Sequence, residues 1–279
     1  MRILSWNIQC GKSCDAVIDI KRTASHIRSL GELDVICLQE VSRNMEEYCA
    51  PGQMDQLHLL QDLFSDYTPV WGSGFSWPGM AEDKSCRQEF GNLTLVKPVL
   101  LDFKVHPLPR PATPDRRQMQ RIAIEATVKS TFGSLGIINT HLAFHDEREN
   151  HQQVERLGLL EDERHARLES PGEIIEGCYA QKHQPAARIL CGDFNFPIDS
   201  PQYRYQVERG WIDAWRQANN NEPHAPTCGI FDKEQWPVGS HCRDFFWLSK
   251  ELGDTQVTVD VDSDTNLSDH QPILLGLAI

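Results

Sequence analysis

The stretch Arg188-Ile189-Leu190-Cys191-Gly192-Asp193-Phe194-Asn195 decides how the chain folds. Ile189-Leu190-Cys191 reads as a buried strand, and the run stops on a glycine followed by a carboxylate. A strand leading into a core does not readily end on an ionised group, because burying that charge is costly without a metal, a partner or several hydrogen bonds. The same pattern recurs along the chain. Asn7 ends the apolar run that begins at Arg2, and Gln39-Glu40 follows Val35-Ile36-Cys37-Leu38. Asn139-Thr140-His141 interrupts the end of a strand over 135–142. Asp244 opens Phe245-Phe246-Trp247-Leu248, and Ser268-Asp269-His270 precedes the last strand over 272–278. One such ending is a turn; five or six, at the ends of separate strands, imply a single polar cleft at one edge of a β-sandwich.

Working outward, further strands are expected over 92–96, 99–105, 121–128 and 256–261. Apolar residues at helical spacing (Ile20, Ala24, Ile27, Leu30) predict a helix over 17–30. A second is expected over 57–64. A third covers 147–168, with Val154, Leu157 and Leu160 inward and Pro171-Gly172 beyond its end, and a short helix continues over 174–180. Residues 72–90, rich in Gly, Ser and charge, and 219–241, with Pro223, Pro226 and Pro237, read as loops. Four prolines between 107 and 114 demand extended chain. Strands outnumber helices and do not alternate regularly with them. The expectation is an α/β fold with two mixed sheets packed together and helices outside, not a doubly wound parallel sheet. Because the polar endings run from the first strand to the last and must converge, one domain over 1–279 is expected.

The 279 residues carry a formal net charge of -13, which argues against a sequence-blind grip on nucleic acid, since phosphate contacts need local Lys and Arg. It does not exclude one, because a bound cation supplies its own positive charge. Nine cysteines is an odd count for a disulfide framework, and Cys37 and Cys191 sit in apolar runs where Cys behaves as a small hydrophobe. Met1-Arg2-Ile3-Leu4 reads as the start of a strand and not as a signal peptide. No apolar run approaches the roughly 18 residues of a membrane span. A reduced, cytoplasmic, monomeric protein is expected.

The residue types in the polar cluster suit one chemistry. Glu40, Asp269 and the amide of Asn7 match a hard cation, Mg²⁺ or Mn²⁺. Asp193 is the candidate to orient or deprotonate an attacking water, and Asn195 to hold that water or a phosphate oxygen. His141 and His270 can stabilise charge in a transition state, and Asp244 can fix the tautomer of His270. Singly, each has a plainer reading: Asn7 as a turn, Glu40 as a helix-starting acid, His141 as a structural histidine, Asp193 and Asn195 as an Asx-turn. His224, Cys228, His241 and Cys242 match no common zinc spacing. Gly11-Lys12-Ser13 lacks the upstream glycine of a phosphate-binding loop. Phe75, Trp77, Phe231 and Trp236 either pack their loops onto the body or offer faces on which bases stack.

Taken in order, Ser5-Trp6-Asn7, Leu38-Gln39-Glu40-Val41, Asn139-Thr140-His141, Gly192-Asp193-Phe194-Asn195, Arg243-Asp244-Phe245 and Ser268-Asp269-His270 resemble the motifs of the endonuclease/exonuclease/phosphatase superfamily across nearly the whole chain. The resemblance implies a four-layer α/β sandwich of the DNase I-like kind with two mixed β-sheets. It implies Asn7 and Glu40 at the main metal with Asp269 nearby, Asp193 and Asn195 at the nucleophilic water, and Asp244 supporting His270. His141 matches the histidine of the deoxyribonuclease-like branch, where AP endonucleases carry a tyrosine, which speaks against an abasic-site role. Gln118-Met119-Gln120-Arg121 faintly resembles the tyrosyl-DNA phosphodiesterase branch and puts Arg121 where several members hold a phosphate. The implied activity is Mg²⁺- or Mn²⁺-dependent hydrolysis of a phosphodiester, with DNA or RNA as first choice. The alternatives are inositol phosphates, lipids or small phosphate esters, and, more remotely, a non-catalytic binding module on the same fold.

Overall fold

In the computed structural model, described for residues 1–79, 86–173, 176–180 and 183–278, the first half of the chain runs β1 (Arg2–Asn7), α1 (Ile20–Ser29), β2 (Val35–Arg43), α2 (Gln56–Leu63), β3 (Thr68–Pro78), β4 (Arg87–Val96), β5 (Leu100–Pro107) and β6 (Ile122–Ser130). The second half runs β7 (Gly133–His141), α3 (Glu147–Glu169), β8 (Ala187–Asp193), α4 (Pro201–Glu208), β9 (Ile212–Asp213), α5 (Ala214–Ala218), β10 (Asp244–Leu248), β11 (Val257–Val261) and β12 (Ile273–Leu277). One sheet has the order β11-β12-β1-β2-β4-β3 and the other β5-β6-β7-β8-β10-β9. Each contains a single parallel pair, β1 with β2 and β7 with β8, among antiparallel neighbours. Parallel neighbours need a crossover, and α1 and α3 supply it. Both helices start on an aspartate cap: Asp19 accepts from the Lys21 amide, and Asp146 from those of Arg148 and Glu149.

The layers follow from which residues alternate inward. Ile3, Val35 and Cys37 of one sheet meet Ala126, Ile137, Ile189 and Cys191 of the other. The opposite faces carry Leu4, Trp6, Ile36 and Leu38 against α1 and α2, and Ile138, Leu190 and Trp247 against α3 and α4. The result is the expected four-layer α/β sandwich with two mixed sheets. All nine cysteines are free. Among the described residues, no helix is long and apolar enough to cross a membrane.

One polar bridge crosses the apolar middle. Gln39 Nε2 donates to Asn139 Oδ1 at 2.8 Å, and Asn139 Nδ2 faces the carbonyls of Leu38 and Leu93 at 3.2 and 3.1 Å. Both amides are fully buried, so these groups have no water to fall back on. Behind the second sheet, Arg188 donates to Glu125 at 2.9 and 2.6 Å and to Glu161 at 3.1 Å, and His106 lies 3.1 Å from Glu125. Burial opposes the charge on Glu125, but His106 and Arg188 outweigh it and hold the carboxyl down at about 2, against an ordinary 4.5.

Residues 72–78 and 87–90 differ from the loop expected over 72–90, whose residues 80–85 lie outside the described residues. They pair as parts of β3 and β4, Trp77 opposite Gln88 and Pro78 opposite Arg87. Glycines in and beside them allow close backbone approach: a Cβ at Gly91 would lie 1.9 Å from the Gly72 carbonyl oxygen and one at Gly74 2.2 Å from that of Gln120. The short helices α4 and α5 were not expected. The helix expected over 174–180 falls partly outside the described residues, with a 3-10 turn at Gly177–Tyr179.

Asn139→Leu is expected to lower stability by about 2–3 kcal/mol, read as a lower urea midpoint at unchanged slope. The lowered pKa of Glu125 fixes a pH window. Its contribution is complete above the unfolded value near 4.5 and fades as pH falls towards 2. Urea unfolding at pH 5 and pH 3 should therefore show the gap between wild type and Glu125→Gln shrink by roughly 2 kcal/mol. A gap independent of pH contradicts the assignment.

Candidate active site

The C-terminal ends of the two parallel pairs meet. In β1 and β2, Asn7 pairs with Gln39; in β7 and β8, His141 pairs with Asp193; Asp244, the first residue of β10, pairs with Asp193 from the other side. The segment before β12 is tied to the same edge, since Ser268 Oγ donates to the Asn7 carbonyl at 2.7 Å and Trp6 Nε1 to the His270 carbonyl at 2.9 Å.

Local backbone departures aim the side chains. Along β2, Ile36 and Leu38 face the helix layer, and strict alternation would send Glu40 there too. The pairing with β4 slips between Leu38 and Val41, Val41 takes the helix-facing place, and Glu40 adopts φ 58°. This is a bulge that turns a carboxylate off the sheet. In β8, Gly192 has φ 139°, and a Cβ there would lie 1.8 Å from the Thr140 carbonyl oxygen. The strand therefore needs a glycine immediately before Asp193.

Asp193 Oδ2 is the focus. Asn7 Nδ2 lies 3.0 Å from it, His141 Nε2 3.4 Å and His270 Nε2 3.6 Å. Asn7 Nδ2 also reaches Glu40 Oε1 at 3.1 Å, and His141 Nδ1 sits 3.9 Å from the same oxygen. His270 Nδ1 bonds Asp244 Oδ2 at 2.8 Å, and Thr227 Oγ1 donates to that oxygen at 2.6 Å. Asn195 gives its backbone N–H to Asp193 Oδ1 at 2.9 Å and its side-chain N–H to the Leu142 carbonyl at 3.0 Å. Asp269 Oδ2 accepts from Gln235 Nε2 at 2.7 Å and Trp236 Nε1 at 3.2 Å. The Arg121 guanidinium makes no hydrogen bond among the described residues, and its charge acts on Glu40 and Asp193.

Burial raises the Asp193 carboxyl to about 7, aided by the Asp244 charge and opposed by His270, Asn7 and the Asn195 amide. Burial raises Glu40 as well, with the Asp269 charge adding to it. The two imidazoles diverge. Burial, together with the Arg121 and His270 charges, pushes His141 well down, and its Nδ1 is buried without a hydrogen-bond partner. Burial alone would lower His270 too, but Asp244, Asp193 and Asp269 hold it well up.

Thus Asn7, Glu40, His141, Asp193, Asp244 and His270 form one connected cluster, with Asn195, Asp269 and Arg121 at its margins. The sequence does not single out Thr227 or Gln235. Trp236, expected either to pack its loop onto the body or to offer a stacking face, is buried and packed edge-on against His270 with ring centroids 5.7 Å apart. Phe75 and Trp77 stack on each other at 4.0 Å. The zinc reading gains nothing: His224 bonds Asp213 at 2.8 Å, and Cys228 Sγ points at the His241 carbonyl. A separate group, Glu161, His165 and Glu251, already holds the Arg164 guanidinium between its carboxylates.

The sequence pattern of the Endonuclease/Exonuclease/phosphatase family matches residues 4–270. The chain belongs to this family. No curated protein matches it in sequence. Among solved structures, an endonuclease/exonuclease/phosphatase from Beutenbergia cavernae is similar at TM-score 0.72 and 21% identity, over 99% of this chain and 71% of that one. A mannosyl-6-phosphatase from Bacteroides thetaiotaomicron is similar at TM-score 0.68 and 15% identity, over the whole of both chains. TDP2 from C. elegans is similar at TM-score 0.62 and 18% identity, over 99% of this chain and 74% of that one. At these identities the likeness is one of fold, the four-layer phosphoesterase fold of the endonuclease/exonuclease/phosphatase family.

Gly192→Ala should cost at least about 2 kcal/mol, because its methyl meets a backbone carbonyl that cannot turn aside and its φ is unfavourable for a side chain. Chemical denaturation measures this, and a cost below about 0.5 kcal/mol would contradict so close an approach of the two strands.

Proposed function

We propose that the protein is a divalent-metal-dependent phosphodiesterase, acting on DNA or RNA, in which Asp193 activates water. The observation that carries this reading is the focus of Asn7, His141 and His270 on one oxygen of Asp193, built from segments of both sheets. The donor set fits a hard cation: Glu40 is an oxygen ligand engaged by a single amide, and Asp269 adds a second carboxylate nearby. Glu40, Asn7 and Asp269 are the residues that would hold Mg²⁺ or Mn²⁺. When bound, the ion supplies a positive charge that polarises the phosphate and eases departure of the leaving oxygen.

The remaining work belongs to the chain. Asp193, with a carboxyl tuned near neutrality, accepts the proton of the attacking water. Asn7 and the Asn195 backbone amide fix its two oxygens. His270, kept protonated by Asp244, directs Nε2–H towards the reacting phosphate, where negative charge grows. His141, kept neutral, offers Nε2 as a second contact without repelling His270. Arg121 balances the phosphate charge from the rim.

A chain-like substrate is favoured by the ground on either side of the site. Ala143 and Phe144, just past His141, separate two open clefts of about 320 and 500 Å³, one containing Arg121 and the other Asn195 and Arg243. A phosphodiester extends past its scissile phosphate in both directions and fills both clefts; a small monoester fills one. Phe144 is half exposed and presents a face for stacking.

Asp193→Ala and His270→Ala should each lower kcat/KM at least about 10²-fold, measured on protein whose circular dichroism shows that it remains folded. Chelation should abolish turnover, and Mg²⁺ or Mn²⁺ should restore it. The assay compares single-stranded DNA, duplex DNA, RNA, inositol phosphates, phospholipid esters and a chromogenic diester. Wild-type turnover by Asp193→Ala, or faster turnover of monoesters than of any nucleic acid, overturns the reading.

A further inference from the structure

Phosphate chemistry at Asp193 accounts for one anionic group, yet the cleft beside it is built for more. The wall of the 320 Å³ cleft includes Arg117, Gln118, Arg121, Phe144 and His145. Acids outnumber bases 40 to 27 in this chain, so arginines are expected to find carboxylates. Arg28, Arg43, Arg164, Arg188 and Arg209 do so. Among the described residues, no such ion pair is formed by Arg110, Arg116, Arg117 or Arg121; Arg2, Arg87, Arg148, Arg204 and Arg243 form none either, but those are scattered along the chain, whereas these four come from one segment. Burial, and after it the charges of Arg117, Arg121 and Arg116, push the His145 imidazole down. The acid in the wall, Glu149, accepts from Gln118 at 2.6 Å and from Gln153 at 3.0 Å; its charge acts on Arg121 and Arg110 without forming an ion pair with either. Unpaired guanidinium groups along a concave wall make a site for phosphate oxygens.

We infer that this cleft is a second anion subsite, in which Arg117 and His145, with Arg121 shared between cleft and catalytic centre, hold a phosphate group of the substrate other than the one being cut. The inference rests on the phosphoesterase reading and narrows it to substrates carrying at least two phosphates. A terminally phosphorylated nucleic-acid strand and a small bisphosphate both supply that chemistry. The subsite also explains how an acidic protein keeps hold of a polyanion: the attraction is confined to one wall of one cleft.

Two measurements separate the inference from the reading beneath it. The first needs no turnover. The full chain, in the presence of chelator, is titrated calorimetrically with pyrophosphate and with orthophosphate. Wild type should bind pyrophosphate roughly 10-fold or more tightly than orthophosphate, and Arg117→Ala should remove most of that preference, the scale of one charge-assisted contact. Equal affinities in the wild type, or an unchanged preference in Arg117→Ala, overturn the subsite. The second compares kcat/KM, with metal present, for a 5′-phosphorylated dinucleotide and its unphosphorylated form, and for a sugar bisphosphate and the matching monophosphate. A preference of roughly 10-fold for the extra phosphate in either pair, falling in Arg117→Ala, supports the subsite and tells which source is read. Equal rates within both pairs overturn it. If nothing is hydrolysed while pyrophosphate binding behaves as expected, the catalytic reading fails and the anion subsite stands.

Discussion

The Gln39–Asn139 contact between the sheets is the constraint on which the site depends. Asn7 and Glu40 belong to one sheet, and His141, Asp193 and Asp244 to the other, so their mutual distances are distances between two stacked layers. Apolar packing alone lets such layers slide, because dispersion and burial are only weakly directional. An amide that must reach the Leu38 and Leu93 carbonyls of the opposite layer has one acceptable position. It lies two residues before His141, and Gln39 lies immediately before Glu40. The sheets are thus pinned within a few residues of the atoms that must coincide.

Given that alignment, the electrostatics follow from neighbours and not from residue type. Two buried histidines approach the same carboxylate oxygen, yet one is driven neutral and the other charged. His270 has a carboxylate on its far nitrogen; the far nitrogen of His141 has no hydrogen-bond partner. Buried asymmetry of this kind separates a group that carries charge from one that contributes only a dipole. The network extends to Thr227, which fixes the Asp244 oxygen that fixes His270.

Much of this was legible in the sequence because β-strands advertise themselves by alternation and by how they stop. Each strand-end motif, from Asn7 to His270, lies at the site edge, and the order of strands and helices favoured two mixed sheets. What was not legible was set by partners distant in sequence. Residues 72–90 read as a loop because glycine and serine suggest turns, whereas here glycine admits a neighbouring backbone into van der Waals contact. Thr227 and Gln235 sit in a segment with no periodicity, so nothing local distinguished these residues, which reach Asp244 and Asp269, from their neighbours. Helix α5 is only five residues long, and α4, although as long as α2, turns Gln202, Tyr203 and Gln206 inward, so neither shows an apolar stripe. Arg121 could be read from the sequence only through resemblance, and its companions in the cleft wall not at all, since an arginine without a carboxylate looks like any other until the fold is known.

The bulge at Glu40 has a consequence for how this chain can evolve. A left-handed glutamate is disfavoured by roughly 1 kcal/mol or more, and glycine would occupy the same backbone without that penalty. Drift under selection for folding alone would therefore erode the carboxylate first. On the proposed metal role of Glu40, that loss would leave a sounder scaffold without its cation ligand, and among sister sequences the residue at this bend would separate chains that keep the ligand from those that have shed it.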